Sequence, residues 1–163
     1  QYREVRLAAL LDSPDAFATV YEDAVARTND QWQAFVRDKS PVFDRLLFVE
    51  RAGVPGGLVW GHISPDSPDE AHVFQMWVDP SLRGQGAGKR LMDSVVSWAR
   101  ESGAGLVSLD VTLGNEPAIR LYLGAGFAFT GESRPLRPGS ALRERSMVLA
   151  LDGQGAPGPL RAG

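Results

Sequence analysis

Apolar residues recur along the chain at spacings that predict a mixed α/β fold. The short, partly alternating run at residues 4–11 predicts a strand. Residues 14–27 carry apolar side chains at helical spacing and predict a helix. A second helix is expected around Trp32 and Phe35, ending before Pro41.

The middle of the chain is dominated by predicted strands. Residues 45–51 and 58–63 predict a hairpin, closed by the Gly-rich turn at 53–57. The acidic loop 64–70 contains two prolines and is predicted to be solvated. Residues 72–78 are apolar on both faces, which is typical of a central strand covered on both sides.

Helices and strands alternate in the C-terminal half. From Gly88 onward apolar residues recur at i, i+4 and i+7 and predict a helix. Residues 106–111 predict a strand parallel to the central one, because a helix of this length connects the two. A second helix begins at Asn115, and residues 127–131 and 144–151 predict the last two strands.

The predicted order is strand, helix, helix, three strands, helix, strand, helix, strand, strand. This order predicts an α/β fold with a mixed sheet of six to seven strands and about four flanking helices. Residues 1–151 are predicted to form a single domain, and the Gly/Pro-rich tail 152–163 is predicted to be disordered.

Composition narrows the possible functions. The chain contains no Cys and two His, which excludes disulfides and a thiol nucleophile and predicts that it binds no metal. A net charge of −3 disfavours nucleic acid and anionic membranes as partners. No apolar run approaches the roughly 20 residues of a membrane span. These features predict a soluble cytoplasmic protein, either a monomer or a homodimer.

The stretch between the central strand and the next helix contains three glycines at alternate positions, Gly84, Gly86 and Gly88. Glycine permits positive φ and close backbone approach, so consecutive N–H groups can face one ligand. The helix that follows adds free N–H donors and the positive end of its dipole, and Arg83 and Lys89 flank the turn. This pattern predicts a site for a phosphate or pyrophosphate.

Two common phosphate-binding motifs do not fit this stretch. A P-loop needs a Gly where Arg83 stands and a Ser or Thr where Arg90 stands. The dinucleotide fingerprint fails too, because its last Gly falls on Lys89 or Leu91, depending on its start. The pattern Arg-x-x-Gly-x-Gly remains, and by itself it is equally compatible with an ordinary Gly-rich turn.

Two motifs together resemble the GNAT superfamily of N-acetyltransferases. Arg83, Gly86 and Gly88 resemble its acyl-CoA signature. A second motif follows at a suitable distance, and the predicted element order agrees with the family over residues 1–151. The residues that match this second motif are Asn115, Ala118, Leu121, Tyr122, Gly126 and Phe127.

The resemblance implies a splayed sheet that holds acetyl-CoA in its gap and direct transfer of the acetyl group to a primary amine. The amine can belong to a small molecule, a protein N-terminus or a lysine. Because a thioester is already activated, such an enzyme needs no nucleophile of its own, which agrees with the absence of Cys. A catalytically silent acyl-CoA sensor or interaction module of the same fold is the alternative.

The resemblance also implies roles for individual residues. Tyr122 would protonate the leaving thiolate, because an ordinary Tyr pKa of about 10 keeps it protonated at neutral pH. Asp110 stands where related enzymes carry a base, and it can act as base, orient a water or the ammonium, or be structural. His62 and His72 are interpreted as structural. The implied cofactor-binding residues are Met76, Trp77, Val78, Arg83, Gly84, Gln85, Gly86, Ala87, Gly88, Lys89 and Asn115.

Overall fold

A computed structural model describes residues 1–151, and the predicted tail 152–163 lies outside the described residues. Within residues 1–151, no helix is long and apolar enough to cross a membrane. The helices are α1 (Tyr2–Asp12), α2 (Tyr21–Val25), α3 (Asn29–Arg37), α4 (Ala87–Glu101) and α5 (Glu116–Gly124). The strands are β1 (Asp44–Arg51), β2 (Val54–Ile63), β3 (Glu70–Val78), β4 (Leu106–Thr112), β5 (Ala128–Pro135) and β6 (Arg143–Ala150).

The six strands form one mixed sheet in the order β1-β2-β3-β4-β6-β5. The central pair β3 and β4 is parallel, as predicted, and the other neighbours are antiparallel. Helix α4 connects the parallel pair, so the crossover has the form expected of a βαβ unit. The predicted α/β fold class with a mixed sheet of six to seven strands is confirmed.

The prediction of a strand at residues 4–11 is wrong, because this segment belongs to α1. Its buried residues follow helical rather than alternating spacing, and the segment as a whole is rich in the good helix formers Leu, Ala and Arg. Helix α1 packs this face against the sheet. The buried positions are Tyr2, Val5, Arg6, Ala9 and Leu10.

The single helix predicted for residues 14–27 is also wrong. The segment contains a 3₁₀ turn at Pro14–Ala16, an extended stretch and the short α2. Phe17 has extended dihedrals, φ −133° and ψ 142°, which interrupt the helix. Two distant side chains hold this conformation: Thr112 donates to the carbonyl of Asp15 and Arg137 donates to the carbonyl of Phe17.

The two parallel strands pair along only part of their length. Their ladder runs from Glu70 opposite Leu106 to Val73 opposite Leu109. Beyond Val73, β3 carries Gln75 at a positive φ of 56°, and its register with β2 shifts nearby. Asp110 and the rest of β4 pair only with β6. A cleft therefore opens in the sheet at the C-terminal ends of β3 and β4.

Both faces of the sheet are covered by apolar clusters. One cluster joins the sheet to α4 and α5, and the other joins it to α1 and α3. Gly61 of β2 lies under α4, where an added Cβ would come within 2.5 Å of Val95 and 2.6 Å of Trp98. The absent side chain therefore lets α4 lie close to the sheet.

Replacing Gly61 by Ala should destabilise the protein by about 1–3 kcal/mol, because the new methyl group has to displace both side chains. Urea unfolding measures the change. Gly105→Ala is the matched control, since its nearest contact would be an ordinary 3.8 Å to the Asp69 carbonyl. Equal unfolding midpoints for Gly61→Ala and wild type would contradict the close packing of α4.

Candidate active site

The turn before α4 has the geometry of an anion-binding cradle. Gly84 and Gly86 have positive φ values of 72° and 76°, and Gly86 is the N-cap of α4. Within residues 1–151, none of the backbone N–H groups of residues 84–89 donates to a carbonyl or side-chain oxygen. These donors, together with the positive end of the α4 dipole, form a site that an anion can satisfy.

The flanking cations are held by carboxylates. Arg83 donates to the carbonyl of Val78 at 2.9 Å and pairs with Asp12 of α1. Lys89 pairs with Asp93 at 2.6 Å and is well exposed. Burial alone would raise the pKa of Asp12, but hydrogen bonds from Trp77 and other donors, Arg83 among them, hold that pKa below its ordinary value. Asp12 therefore stays ionised and positions Arg83 beside the cradle.

A cavity of about 380 Å³ extends from the cradle into the cleft of the sheet. All the predicted cofactor residues except Gln85 line it, and the Gln85 side chain instead donates to the carbonyl of Ser81. We call it the cradle cavity. The remaining lining comes from Ser13, Ala16, Phe17, Pro117, Ala118, Leu121 and Tyr122.

A second cavity of about 390 Å³ lies beside β3, β4 and β6, and we call it the polar cavity. Its wall includes the aromatic rings of Trp60 and Phe74, whose centroids lie 4.6 Å apart in a stacked arrangement. It also includes His72, Asp110 and Glu144. The two cavities share Ala16, Phe17, Met76, Asn115, Ala118 and Tyr122.

Tyr122 of α5 lies where the two cavities meet. Its side chain is buried, and burial raises the pKa of its phenol above the ordinary value. The hydroxyl is therefore a protonated donor at neutral pH. Asn115 fixes the start of α5 as predicted, because its Oδ1 accepts from the backbone N–H of Ala118 at 3.3 Å.

Asp110 lies in the polar cavity but already has partners. Arg134 pairs with it at 2.7 Å, and the hydroxyl of Ser146 donates to it at 2.6 Å. Burial alone would raise the pKa of Asp110, but these two donors outweigh burial and lower it. Arg134 also contacts Glu144 at 3.0 Å. The pKa of Glu144 is raised by burial and, to a lesser extent, by the charge of Asp110. Asp110 is thus a weaker base than an ordinary aspartate.

His72, which the sequence indicated only as structural, lies beside Asp110. The Ser108 hydroxyl donates to Glu70 and lies 2.8 Å from His72 Nδ1, so the hydrogen-bond network assigns the proton to Nδ1. Nε2 then carries a lone pair 3.7 Å from a carboxylate oxygen of Asp110. Burial lowers the pKa of His72, so the ring is neutral at neutral pH.

Sequence patterns missed other residues of the polar cavity as well. Arg6 comes from the N-terminal segment whose elements were predicted wrongly, and Glu144 lies in a strand that was predicted without a functional role. Phe17, which the sequence indicated as a residue of either the acceptor pocket or the core, does line the cavity. The sequence did contain one signal for a functional role of His72, which is its position in the strand that leads to the cradle. Among residues 1–151, no three His, Cys, Asp or Glu side chains are grouped to hold a metal.

Comparison with known proteins gives the family. The profile of the acetyltransferase (GNAT) family matches residues 7–127. A mycothiol acetyltransferase of Thermomonospora curvata is 35% identical over 73% of this chain and 37% of its own length. An alanine N-acetyltransferase of ribosomal protein bS18 from Escherichia coli is 32% identical over 51% of this chain and 56% of its own. The chain thus spans well under two thirds of these relatives.

Solved structures share the fold. The structure of yncA from Salmonella typhimurium with its cofactor acetyl-CoA superposes with a TM-score of 0.77 at 22% identity, covering 96% of this chain and 90% of that one. A nourseothricin acetyltransferase superposes with a TM-score of 0.60 at 32% identity, covering 66% and 65%. Because the family profile spans most of the chain and solved acetyltransferases share its fold, this protein belongs to the GNAT family of acetyltransferases.

Proposed function

We propose that this protein transfers the acetyl group of acetyl-CoA directly to a primary amine in a ternary complex. The observation that carries the proposal is the meeting of two different cavities at Tyr122. One cavity begins at a cradle of free N–H groups, and the other contains carboxylates and aromatic rings suited to an ammonium group. An acyl donor and an amine acceptor can therefore meet at one point.

The cradle cavity fits the chemistry of coenzyme A. The free N–H groups of residues 84–89 would hold the pyrophosphate, and at Gly84 and Gly86 positive φ disfavours any side chain. The apolar side chains of Met76 and Leu121 suit the pantetheine arm. Acetyl-CoA would supply an activated acetyl group at the inner end of the cavity, beside Tyr122.

The proposed reaction begins when the bound ammonium loses one proton to solvent and becomes a neutral amine with a free lone pair. Two further proton transfers then occur within the site. The amine nitrogen forms a bond to the acetyl carbon, and the carbon–sulfur bond breaks with its electron pair on sulfur. Tyr122 donates its proton to that sulfur, so that free thiol leaves. The nitrogen loses a proton as it becomes an amide, and we assign this proton to Nε2 of His72, whose lone pair lies beside Asp110.

His72 and Asp110 have separate roles in this proposal. The anionic Asp110 attracts the incoming ammonium and holds it near Nε2 of His72. A His with a lowered pKa is a poor base for a free alkylammonium of pKa near 10. The nitrogen becomes far more acidic once it bonds to the acetyl carbon, so transfer to His72 is favourable at that stage.

The proposal is tested by mixing the purified protein with acetyl-CoA and a panel of amines and peptides and measuring released CoA thiol. Thiol release that depends on the amine, with the acetylated amine identified by mass spectrometry, supports it. Binding of acetyl-CoA without turnover of any amine would instead favour the silent sensor of the same fold.

Gly86→Asp should abolish the thermal stabilisation that acetyl-CoA gives to the wild-type protein. The new carboxylate would lie at the N-cap of α4 and repel the pyrophosphate from the free N–H groups. Thermal unfolding with and without acetyl-CoA measures this effect.

Gly103→Asp is the matched control, because Gly103 also has a positive φ, 84°, but lies at the other end of α4. Both variants place an Asp at a positive φ and add the same charge. A folded Gly86→Asp variant that acetyl-CoA stabilises as much as wild type would place the cofactor elsewhere.

A further inference from the structure

The polar cavity contains a buried cation that has no anionic partner among residues 1–151. Arg6 of α1 lines this cavity and is 4% exposed. Its Nη1 has no hydrogen-bond partner among residues 1–151, and it forms no salt bridge with their carboxylates. Its guanidinium carbon lies 4.3 Å from the centroid of the Phe17 ring, which also lines the cavity. A buried charge in this state is strongly destabilising unless a ligand compensates it.

The surroundings of Arg6 within residues 1–151 keep its guanidinium charged but provide no anion to pair with it. Burial lowers the pKa of Arg6 to about 10, so the guanidinium remains protonated at neutral pH. The neighbouring ionisable groups are the neutral phenol of Tyr2 and the cation of Arg27. Gln75 lines the same cavity, and because its Oε1 accepts from the Tyr2 hydroxyl, its amide NH₂ is a second donor for an anion.

The other charged groups of the polar cavity come from different elements. Asp110 and Glu144 belong to β4 and β6, and both contact Arg134. His72 of β3 is neutral and lies against Asp110. The polar cavity thus contains a cation from α1 and carboxylates from β4 and β6. This arrangement is complementary to a molecule that carries both an anionic group and an ammonium group.

We propose that the acceptor is a small amino acid whose carboxylate binds Arg6 while its amino group lies at His72 and Asp110. This inference rests on the proposed function, because it names the acceptor of that site. A cavity of about 390 Å³ matches the size of small-molecule sites. A lysine side chain or N-terminus within a protein has no free carboxylate at that position and would leave Arg6 uncompensated.

The experiment compares the twenty standard amino acids with their carboxamides as acceptors at neutral pH. Each pair has the same side chain and amine, and only the acid can pair with Arg6. The carboxamide amine has a lower pKa, closer to the value of roughly 8 seen in peptides, so it is less protonated. A higher rate for the acid therefore cannot come from amine ionisation. We expect kcat/KM for the best amino acid to exceed that of its amide about tenfold or more.

Arg6→Met should bring this ratio close to one, because Met keeps the length and apolar contacts of the side chain but removes the charge. The KM for acetyl-CoA should not change, since Arg6 lies outside the cradle cavity. Arg27→Met is the matched control: Arg27 is a neighbouring cation, stacked on Trp32, and does not line the cavity. It should keep the preference for the acid.

Calorimetric binding of the same amino acids and amides separates this inference from the proposed function. If amino acids bind the wild-type protein and their affinity falls about tenfold or more in Arg6→Met, the anion site is supported even if no acetyl group is transferred. If the wild-type protein acetylates the amides as fast as the acids, this inference is overturned but the transferase function stands. Turnover of peptides with no amino acid accepted also overturns it, and neither result requires the variant to fold.

Discussion

Tyr122→Phe is expected to lower kcat by about a hundredfold or more and to leave the KM for acetyl-CoA nearly unchanged. The substitution removes the hydroxyl at the junction of the two cavities and keeps the ring packed in the core. Because burial raises the pKa of this phenol, wild-type Tyr122 stays protonated throughout the neutral range. Steady-state kinetics that follow released thiol measure the effect.

Tyr21→Phe is the control, because Tyr21 also packs against the apolar cluster under α1 but lines neither cavity. It should retain wild-type kcat. A Tyr122→Phe variant with full kcat and a lower free energy of unfolding would mean that the residue serves packing alone, with thiolate protonation left to solvent.

His72→Asn should reduce kcat by about 10²- to 10⁴-fold, the usual range for loss of a general base. The Asn amide can still donate to Ser108 as Nδ1 does, so the hydrogen bond that crosses β3 and β4 is retained. The variant loses the lone pair beside Asp110. Single-turnover rates with a saturating amine separate this loss from any change in acceptor binding.

The pH profile identifies which residue accepts the proton. In the proposed mechanism only neutral His72 accepts the proton. Burial lowers the pKa of His72, so the acid limb that it causes should lie at a lower pH than the roughly 6.5 of an ordinary His. The Asp110 charge raises the pKa of His72, and the Arg134 charge lowers it. Asp110→Asn removes the first effect and leaves Arg134 paired with Glu144 alone among the carboxylates of residues 1–151, so the acid limb should move to lower pH.

In the same variant kcat should fall only modestly and the acceptor KM should rise, because Asp110 only orients the ammonium in the proposed mechanism. A loss of several thousandfold at every pH in Asp110→Asn, with acceptor binding intact, would make Asp110 itself the base. Full activity of His72→Asn together with a large loss in Glu144→Gln would move the role to Glu144, whose pKa burial raises.

The parts of the site that could be predicted from sequence are those in which neighbouring residues encode the geometry. Gly84 and Gly86 adopt positive φ, and helix α4 starts at the predicted place. Asn115 caps α5, and the order from β1 to β6 agrees with the pattern of apolar runs. Turns, caps and glycines act through contacts within a few residues, so a local pattern contains the information that they need.

The N-terminal quarter shows why other predictions failed. Residues 4–11 contain both an alternating and a helical apolar pattern, and only the helical one buries Tyr2, Val5 and Leu10 together against the sheet. Short apolar runs of this kind are ambiguous in sequence. Phe17 is extended because donors from residues 112 and 137 hold the backbone around it, which no local propensity specifies.

Local sequence thus determined the glycine turn before α4, the N-cap of α5 and the position of Tyr122 on α5. The tertiary structure alone decided the polar cavity, where Ser108 orients His72, Arg134 pairs with Asp110, and α1 supplies Arg6. The physical reason is that charge state and orientation depend on partners from strands and helices far apart in the chain. Strand register and helix docking bring these partners together, and both result from burial of whole faces rather than from any short motif.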